Sequence, residues 1–443
     1  MEKQKILANA SSIPEEQLVK YINQGILMLD DLKTAGLNEA KRKKIKGLLE
    51  QLESKDDEAW ERARYGNEAV LRDYISNYPA GKHVQEAKDK IQDLIKIGIQ
   101  EGIAKQKILD NLQKNPNSCS PADIIGYLKN GTMTASELRD CGIPDTIIET
   151  INNINPPVLN LGATPTSIPD GYTEVYFWGI PGSGKTCALA ALLSTADKAG
   201  LLNIAVGPGY DYMTRLKNIF IEGNAILPPP SPVETTQYLP FTLKKADESF
   251  SRSVSLIELS GEIFQCFYYK NAGMELPSQS HQDTFNTLDN FLKSNNRKIH
   301  FFFIDYDKEN KKDAAGYTQS NYLEAASTYF SNHTNQIFGK YTDAVYIILT
   351  KSDLMPCSEN ERIAKAKEHL NHNRFSSFIN TLKDHCKKHS INAGKLTVEP
   401  FSLGKVYLQQ ICDFDNSTAT KIIEILMDRI APSRKTILDV FNK

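Results

Sequence analysis

The chain has 443 residues, 40% of them hydrophobic, with 52 basic against 54 acidic side chains and a formal net charge of -2. That length holds roughly two to three domains with sizeable cores, and the charge balance excludes a broad basic footprint for nucleic acid or an anionic membrane. Seven dispersed cysteines without a CxxC or Cys/His pairing exclude a disulfide framework and a zinc site of the usual spacing. No run approaches the roughly 18 apolar residues of a membrane span, and the opening Met-Glu-Lys-Gln-Lys lacks the apolar core of a signal peptide. A cytoplasmic location is expected.

Charge-rich helical periodicity dominates the first third and predicts an all-α repeat region over 1–154. Lys3-Gln-Lys-Ile-Leu-Ala-Asn9 returns as Lys105-Gln-Lys-Ile-Leu-Asp-Asn111, at an offset of 102. Tyr21, Gly25, Leu32, Gly36 and Ile45 then match Tyr127, Gly131, Leu138, Gly142 and Ile151 at an offset of 106. One module therefore occurs twice, as 1–52 and 103–154, with four additional residues near Pro116 to Ser120 in the second copy. Its glycines stand where one short helix stops before the next. Between the copies, Trp60, Ala63, Tyr74, Tyr78-Pro79, Gly81 and Ala87 loosely resemble one tetratricopeptide-like helical hairpin over 56–97. Stacked helical modules commonly present a protein-binding face, so a protein partner is expected here, although simple packing would produce the same pattern. His83 reads as a surface or packed histidine.

Four prolines within Asn155–Asp170 disfavour helix and predict an extended linker over 155–172. From 173 to 443, short β-branched and aromatic runs alternate with helical segments, the pattern of an α/β fold with a mostly parallel sheet flanked by helices.

That second region opens with Tyr176-Phe-Trp-Gly179-Ile-Pro-Gly182-Ser183-Gly184-Lys185-Thr186-Cys187, a strand, a glycine-rich turn and the start of an apolar helix. The G-x-x-x-x-G-K-[ST] spacing cradles phosphate oxygens on backbone N–H groups and aims a helix N-terminus at the same anion. Gly179, Gly182, Ser183, Gly184, Lys185, Thr186 and Cys187 are therefore expected to line a nucleoside triphosphate. Lys185 would reach the β and γ phosphates, and Thr186 would ligate Mg2+. Cys187 stands at a helix N-terminus, where a thiol pKa can fall, but a small packed residue is the simpler reading.

The proline-bounded loop Pro228–Tyr238 follows, and Thr235 or Thr236 is expected to close over Mg2+ and the γ phosphate, with Thr242 as an outsider. Ser253-Val-Ser-Leu-Ile-Glu258-Leu-Ser-Gly261-Glu262 is next, a strand running into E-x-x-G-E. GTPases carry D-x-x-G at this point, so Glu258 would stand for the Asp that holds magnesium through water, and Gly261 for the glycine that contacts the γ phosphate. Glu262 occupies the place of a water-orienting glutamine. Arg252 reads as an exposed arginine at the strand entry. Lys298-Ile-His-Phe-Phe-Phe-Ile-Asp305 is a further buried strand, and in an ATPase Asp305 would be the metal-associated acid.

Ala344-Val-Tyr-Ile-Ile-Leu-Thr350-Lys351-Ser-Asp353 ends in T-K-x-D, which resembles the base-recognition motif of GTPases. A carboxylate at Asp353 would accept two parallel hydrogen bonds from guanine N1–H and its 2-amino group, whereas adenine offers an unprotonated N1. Lys351 would lie along the purine, and the alternative is a helix cap at Ser352 or Asp353. Ser402-Leu403-Gly404, after a plausible last strand, resembles the loose turn whose backbone contacts guanine O6.

The order Gly179, Thr235/Thr236, Glu258, Thr350, Ser402 resembles the five guanine-nucleotide motifs of the translation-factor-related (TRAFAC) GTPase class. The segment from about 173 to 430 also looks like bacterial double-GTPase-type domains. The resemblance implies a P-loop GTPase-like domain that binds GTP or GDP with Mg2+. Under it, Lys185, Thr235, Thr236, Gly261 and Glu262 form the catalytic set, and Thr186, Thr235, Thr236 and Glu258 the metal set. With Glu in two motif positions and no assignable arginine finger, slow hydrolysis or a non-hydrolysing scaffold is expected.

Overall fold

The computed structural model describes residues 2–154, 159, 165, 167–221, 224–228, 236–313, 316–372 and 374–430. It divides into two compact units, Met1–Asp110 and Asn111–Lys443.

The first unit is helical: α1 (Glu2–Ala8), α2 (Glu15–Asn23), α3 (Leu29–Thr34), α4 (Glu39–Ala63), α5 (Glu68–Asn77) and α6 (Val84–Lys114), which runs on past Asp110. Ile6, Leu18, Leu32 and Ile45 bury together in α1–α4. Trp60, Leu71, Tyr74 and Ala87 make a second small core where α4, α5 and α6 meet. Asp56 organises that corner, accepting from Tyr74 Oη at 2.5 Å and from the Lys82 backbone N–H at 2.8 Å. His83 is packed, its ring 5.2 Å from that of Trp60 and 2.9 Å from Asp57 Oδ1.

The second unit begins with the end of α6, then α7 (Pro121–Lys129), α8 (Ala135–Asp140) and α9 (Asp145–Asn152). These three start 106 residues after α2, α3 and α4. Gly25 and Gly131, with φ of +70° and +75°, each end the first helix of their stretch in the left-handed region, where a Cβ is strained.

The rest is a layered α/β fold. A seven-stranded sheet has the order β2-β4-β5-β1-β6-β7-β8, built from β1 (Thr173–Trp178), β2 (Leu202–Asn203), β4 (Gln237–Leu243), β5 (Arg252–Glu258), β6 (Arg297–Asp305), β7 (Thr342–Thr350) and β8 (Thr397–Pro400). The five strands from β5 to β8 are mutually parallel; β4 runs antiparallel to β5, and β2 to β4. Such strands are buried on both faces, which is why they read as continuous apolar runs. Val175 and Phe177 of β1 pack on one side with α10 (Lys185–Lys198), α11 (Tyr210–Lys217) and α18 (Ser417–Ile430). Tyr176 and Trp178 pack on the other with α12 (Ile263–Asn271), α13 (Gln279–Leu292), α14 (Gln319–Asn332), α15 (Thr334–Ile337), α16 (Arg362–Leu370) and α17 (Ser376–Lys388). His300, buried on β6, is a structural group: burial pushes its pKa down to about 3, and it accepts from Trp178 Nε1–H at 2.9 Å.

A separate antiparallel sheet, order β3-β10-β9, joins β3 (Asn224–Ile226), β9 (Gly404–Tyr407) and β10 (Ile411–Phe414). The β9–β10 turn places Leu408 and Gln409 at positive φ. There Leu408 N–H donates to Pro116 O at 2.9 Å, Gln409 N–H to Asn117 Oδ1 at 2.7 Å and Gln409 Nε2 to Asn117 O at 3.0 Å.

Candidate functional site

Parallel strands bring their following loops to one edge of the sheet, and the sequence motifs sit in those loops. The turn after β1 contains Gly179, Gly182 and Ser183, and Gly184 caps α10 with φ +88°. Lys185, in the first turn of that helix, curls back over the loop, Nζ donating to Gly179 O at 2.7 Å and Ile180 O at 3.2 Å. Burial pushes its ammonium pKa down to about 8, against the opposing pull of Glu258.

Glu258 ends β5, the immediate neighbour of β1, and is 3% exposed. One carboxylate oxygen accepts the hydroxyl of Thr186, and the other accepts Tyr212 Oη at 2.9 Å. Burial raises its pKa, with Thr186, Lys185 and Tyr212 acting in the other direction. A hydroxyl and a carboxylate side by side are the hard oxygen donors that suit Mg2+, which takes one or two carboxylates and completes its shell with phosphate and water. Among the described residues, no group of three or more His, Cys, Asp or Glu side chains is placed to hold a metal by itself.

Gly261 lies against the glycine-rich loop so closely that a Cβ there would stand 2.3 Å from Pro181 N. Glu262 follows, buried, its carboxylate 3.6 Å from His281 Nε2. Desolvation raises its pKa, and His281 and Lys185 pull it back. Thr236 is buried just before β4, whose first residue, Gln237, pairs with Glu258. Thr235 lies outside the described residues. Thr242 pairs with Ser253, five residues from Glu258 toward the opposite edge of the sheet.

The end of β7 is fastened to the glycine-rich loop after β1. Thr350 Oγ1 donates to Ser183 O at 2.9 Å, within reach also of Ile304 O at 3.2 Å. Lys351, at φ 56°, extends its ammonium to Asp305 Oδ2 at 3.0 Å and Asp307 Oδ2 at 3.3 Å. Asp353 is exposed and accepts Ser402 Oγ–H at 2.8 Å, while Ser402 Oγ accepts Gly404 N–H at 3.0 Å. Leu403 is half-buried, its carbonyl accepting Asp415 N–H at 2.9 Å. The motifs from β1, β5, β7 and β8 thus converge. Asp305 is turned to other work: besides Lys351, its carboxylate caps the Asp307 N–H at 2.9 Å.

One expectation is corrected, at Arg252, and at Cys187 the simpler reading as a packed residue holds. Arg252 is 4% exposed, its guanidinium donating to Glu248 and to Met427 O at 3.1 Å. Position at a strand entry is a poor guide when a helix, here α18, covers it. Cys187 has no lowered thiol pKa, because burial pushes it up to about 12. Two site residues escaped the sequence reading. Tyr212 is distant in the chain from Glu258, and nothing local marks it. Lys308 donates Nζ–H to Pro181 O at 2.7 Å; its place just after the end of β6, where loops gather at the site edge, was the available signal.

No protein-family model matches the chain, and no curated protein matches it. Among solved structures it is similar to a Plasmodium falciparum protein described as nucleolar GTP-binding protein 1, at 12% identity over 62% of this chain and 95% of that one, with a TM-score of 0.27. It is also similar to Methanosarcina barkeri Roco2 RocCORdC bound to GDP, at 11% identity over 61% of this chain and 52% of that one, with a TM-score of 0.26. No helix among the described residues is long and apolar enough to cross a membrane.

Proposed function

We propose that the chain is a guanine-nucleotide-binding switch protein that holds GTP with Mg2+, hydrolyses it slowly to GDP and uses its N-terminal helices to recruit a protein partner. The observation that carries this reading is the bond from Thr350 to Ser183, which fixes the Asp353 loop relative to the phosphate loop. Asp353, steadied by Ser402, would read the guanine edge with its remaining lone pairs. Lys351 and Leu403 would flank the base. The Pro181–Cys187 backbone and Lys185 would hold the phosphates.

Thr186 and Glu258 would hold Mg2+, with Thr235 or Thr236 closing from the loop before β4; the ion would neutralise phosphate charge as it develops. Hydrolysis would proceed by in-line attack of water on the γ phosphate without a covalent intermediate. Lys185 and the loop N–H groups would stabilise the transferred charge, with Gly261 beside it. A Glu262 carboxyl with a raised pKa, held near His281, is a poor orienter of water, and this supports slow turnover.

A non-hydrolysing scaffold is the second reading, favoured by the same Glu262 geometry. An ATPase built on Asp305 would first need that acid released from Lys351. The helix starts that recur at an offset of 106 support two copies of one partner-binding module.

Calorimetry with GTP and ATP, together with phosphate release by the full chain, tests the proposal. Tight GTP binding with slow release is expected. Tight ATP binding without GTP binding overturns it, and rapid unassisted turnover overturns its slow-hydrolysis element.

A further inference from the structure

The long helix α6 carries an apolar stripe that faces solvent and whose spacing reads alike in both directions. Lys88, Gln92, Ile95, Ile99, Ile103, Gln106 and Asp110 follow one another at spacings of four, three, four, four, three and four residues. At 100° per residue these seven fall within about 80° of arc along roughly 33 Å of helix. Ile95, Ile99 and Ile103 are 40%, 58% and 65% exposed, and the four polar members are exposed as well. Three half-exposed isoleucines in line are a surface that globular chains ordinarily cover.

We propose that this stripe docks a second copy of the chain, the two α6 helices lying antiparallel about a two-fold axis at Ile99. The symmetry of the spacing selects that occupant. An isologous contact needs a surface complementary to itself, and here Ile99 meets the partner's Ile99, while Ile95 meets the partner's Ile103. Gln92 meets the partner's Gln106. At the ends Lys88 meets the partner's Asp110, a favourable pairing that the axis makes twice. A parallel arrangement would set lysine against lysine and aspartate against aspartate, so charge selects the antiparallel one. Leu94 and Ile97 lie outside the stripe. The contact is of the small class, so its dissociation constant should fall on the order of micromolar.

Sedimentation of the full chain between roughly 1 and 100 μM, a range that brackets micromolar affinity, tests this directly. A monomer–dimer equilibrium is expected in the wild type, and Ile99→Asp, which sets one carboxylate against another across the axis, should abolish it with helix content unchanged. Lys88→Asp and Asp110→Lys should each weaken the dimer about tenfold, since each creates two like-charge contacts. The double variant should restore it. Under mild oxidation, Ile99→Cys should form a disulfide dimer that wild type and Ile97→Cys, run in parallel, do not. A wild type that stays monomeric overturns the proposal, including one whose residues 95–103 are protected from amide exchange and hence covered from within the chain. So does a dimer indifferent to Ile99→Asp, or a double variant that fails to restore association.

Discussion

Thr186 gives its hydroxyl to a Glu258 carboxylate that is almost wholly removed from water. The same oxygen pair is what a magnesium ion would use, so an ion-free interaction and an ion-bound one would compete for the same groups.

Replacing Glu258 with Gln should separate the two. The raised folded-state pKa means that the fold binds the proton more tightly than the unfolded chain does, so stability is lost as pH rises from 4.5 through the folded value. Glu258→Gln removes that loss and keeps an oxygen for Thr186. Thermal melts without nucleotide at neutral pH should rise by about 2–4 °C, equivalent to about 1 kcal/mol in a domain of this size. Mg2+ should no longer tighten GTP binding. A variant that melts lower and still responds to Mg2+ would remove Glu258 from the metal set.

Lys185 predicts a proton linkage. Its free ammonium has a pKa of about 8, and bound phosphate should raise it. Nucleotide binding above pH 8 should therefore take up protons, and affinity should fall as pH climbs from 7 to about 9.5. Calorimetry in buffers of different ionisation enthalpy measures the uptake. Lys185→Met should abolish the linkage and cost about 1.5–3 kcal/mol of binding, the range for a charged hydrogen bond.

Asp353 and Ser402 should differ in degree. Asp353→Ala removes the carboxylate proposed to read the base, and GTP affinity should drop by about 2 kcal/mol or more while any ATP affinity holds. Ser402→Ala removes only the hydroxyl that steadies that carboxylate. Its loss should be about a third to a half as large, on the order of a neutral hydrogen bond. Equal losses of GTP and ATP in Asp353→Ala would contradict base reading.

Lys308 places a positive charge against the tip of the glycine-rich loop through Pro181 O. Removing it as Lys308→Ala should lower affinity for GTP about tenfold and for GDP less, because the triphosphate carries the extra charge. The ratio of the two dissociation constants is the readout; an unchanged ratio would make Lys308 a loop brace alone.

The parallel core was legible because burial on both faces leaves its strands as unbroken apolar runs: Val175–Trp178, Phe301–Ile304 and Ala344–Leu349 need no partner to be recognised. The loops between Gly179 and Thr186 and between Thr350 and Asp353 stand out in the sequence for a different reason, particular residue types at fixed spacing, and the structure brings the two together through Thr350 and Ser183. What was hidden is non-local. Tyr212 reaches Glu258 across 46 residues, and neither residue carries a local mark of the other. The three strands of the small sheet span three or four residues each, too short for an alternation to register. Arg252 was misread because its cover arrives from Met427, far along the chain.

That small sheet links the Asp353 loop to a distant stretch of chain. Ser402 holds Gly404, Gly404 opens β9, and the turn at Leu408 and Gln409 grips Pro116 and Asn117. Those two residues fall where the second helical stretch is longer than the first by four. The extra length is therefore a socket: excising four residues there would restore the shorter spacing and strip the hairpin tip of its bonds, seen as faster amide exchange at Leu408 and Gln409.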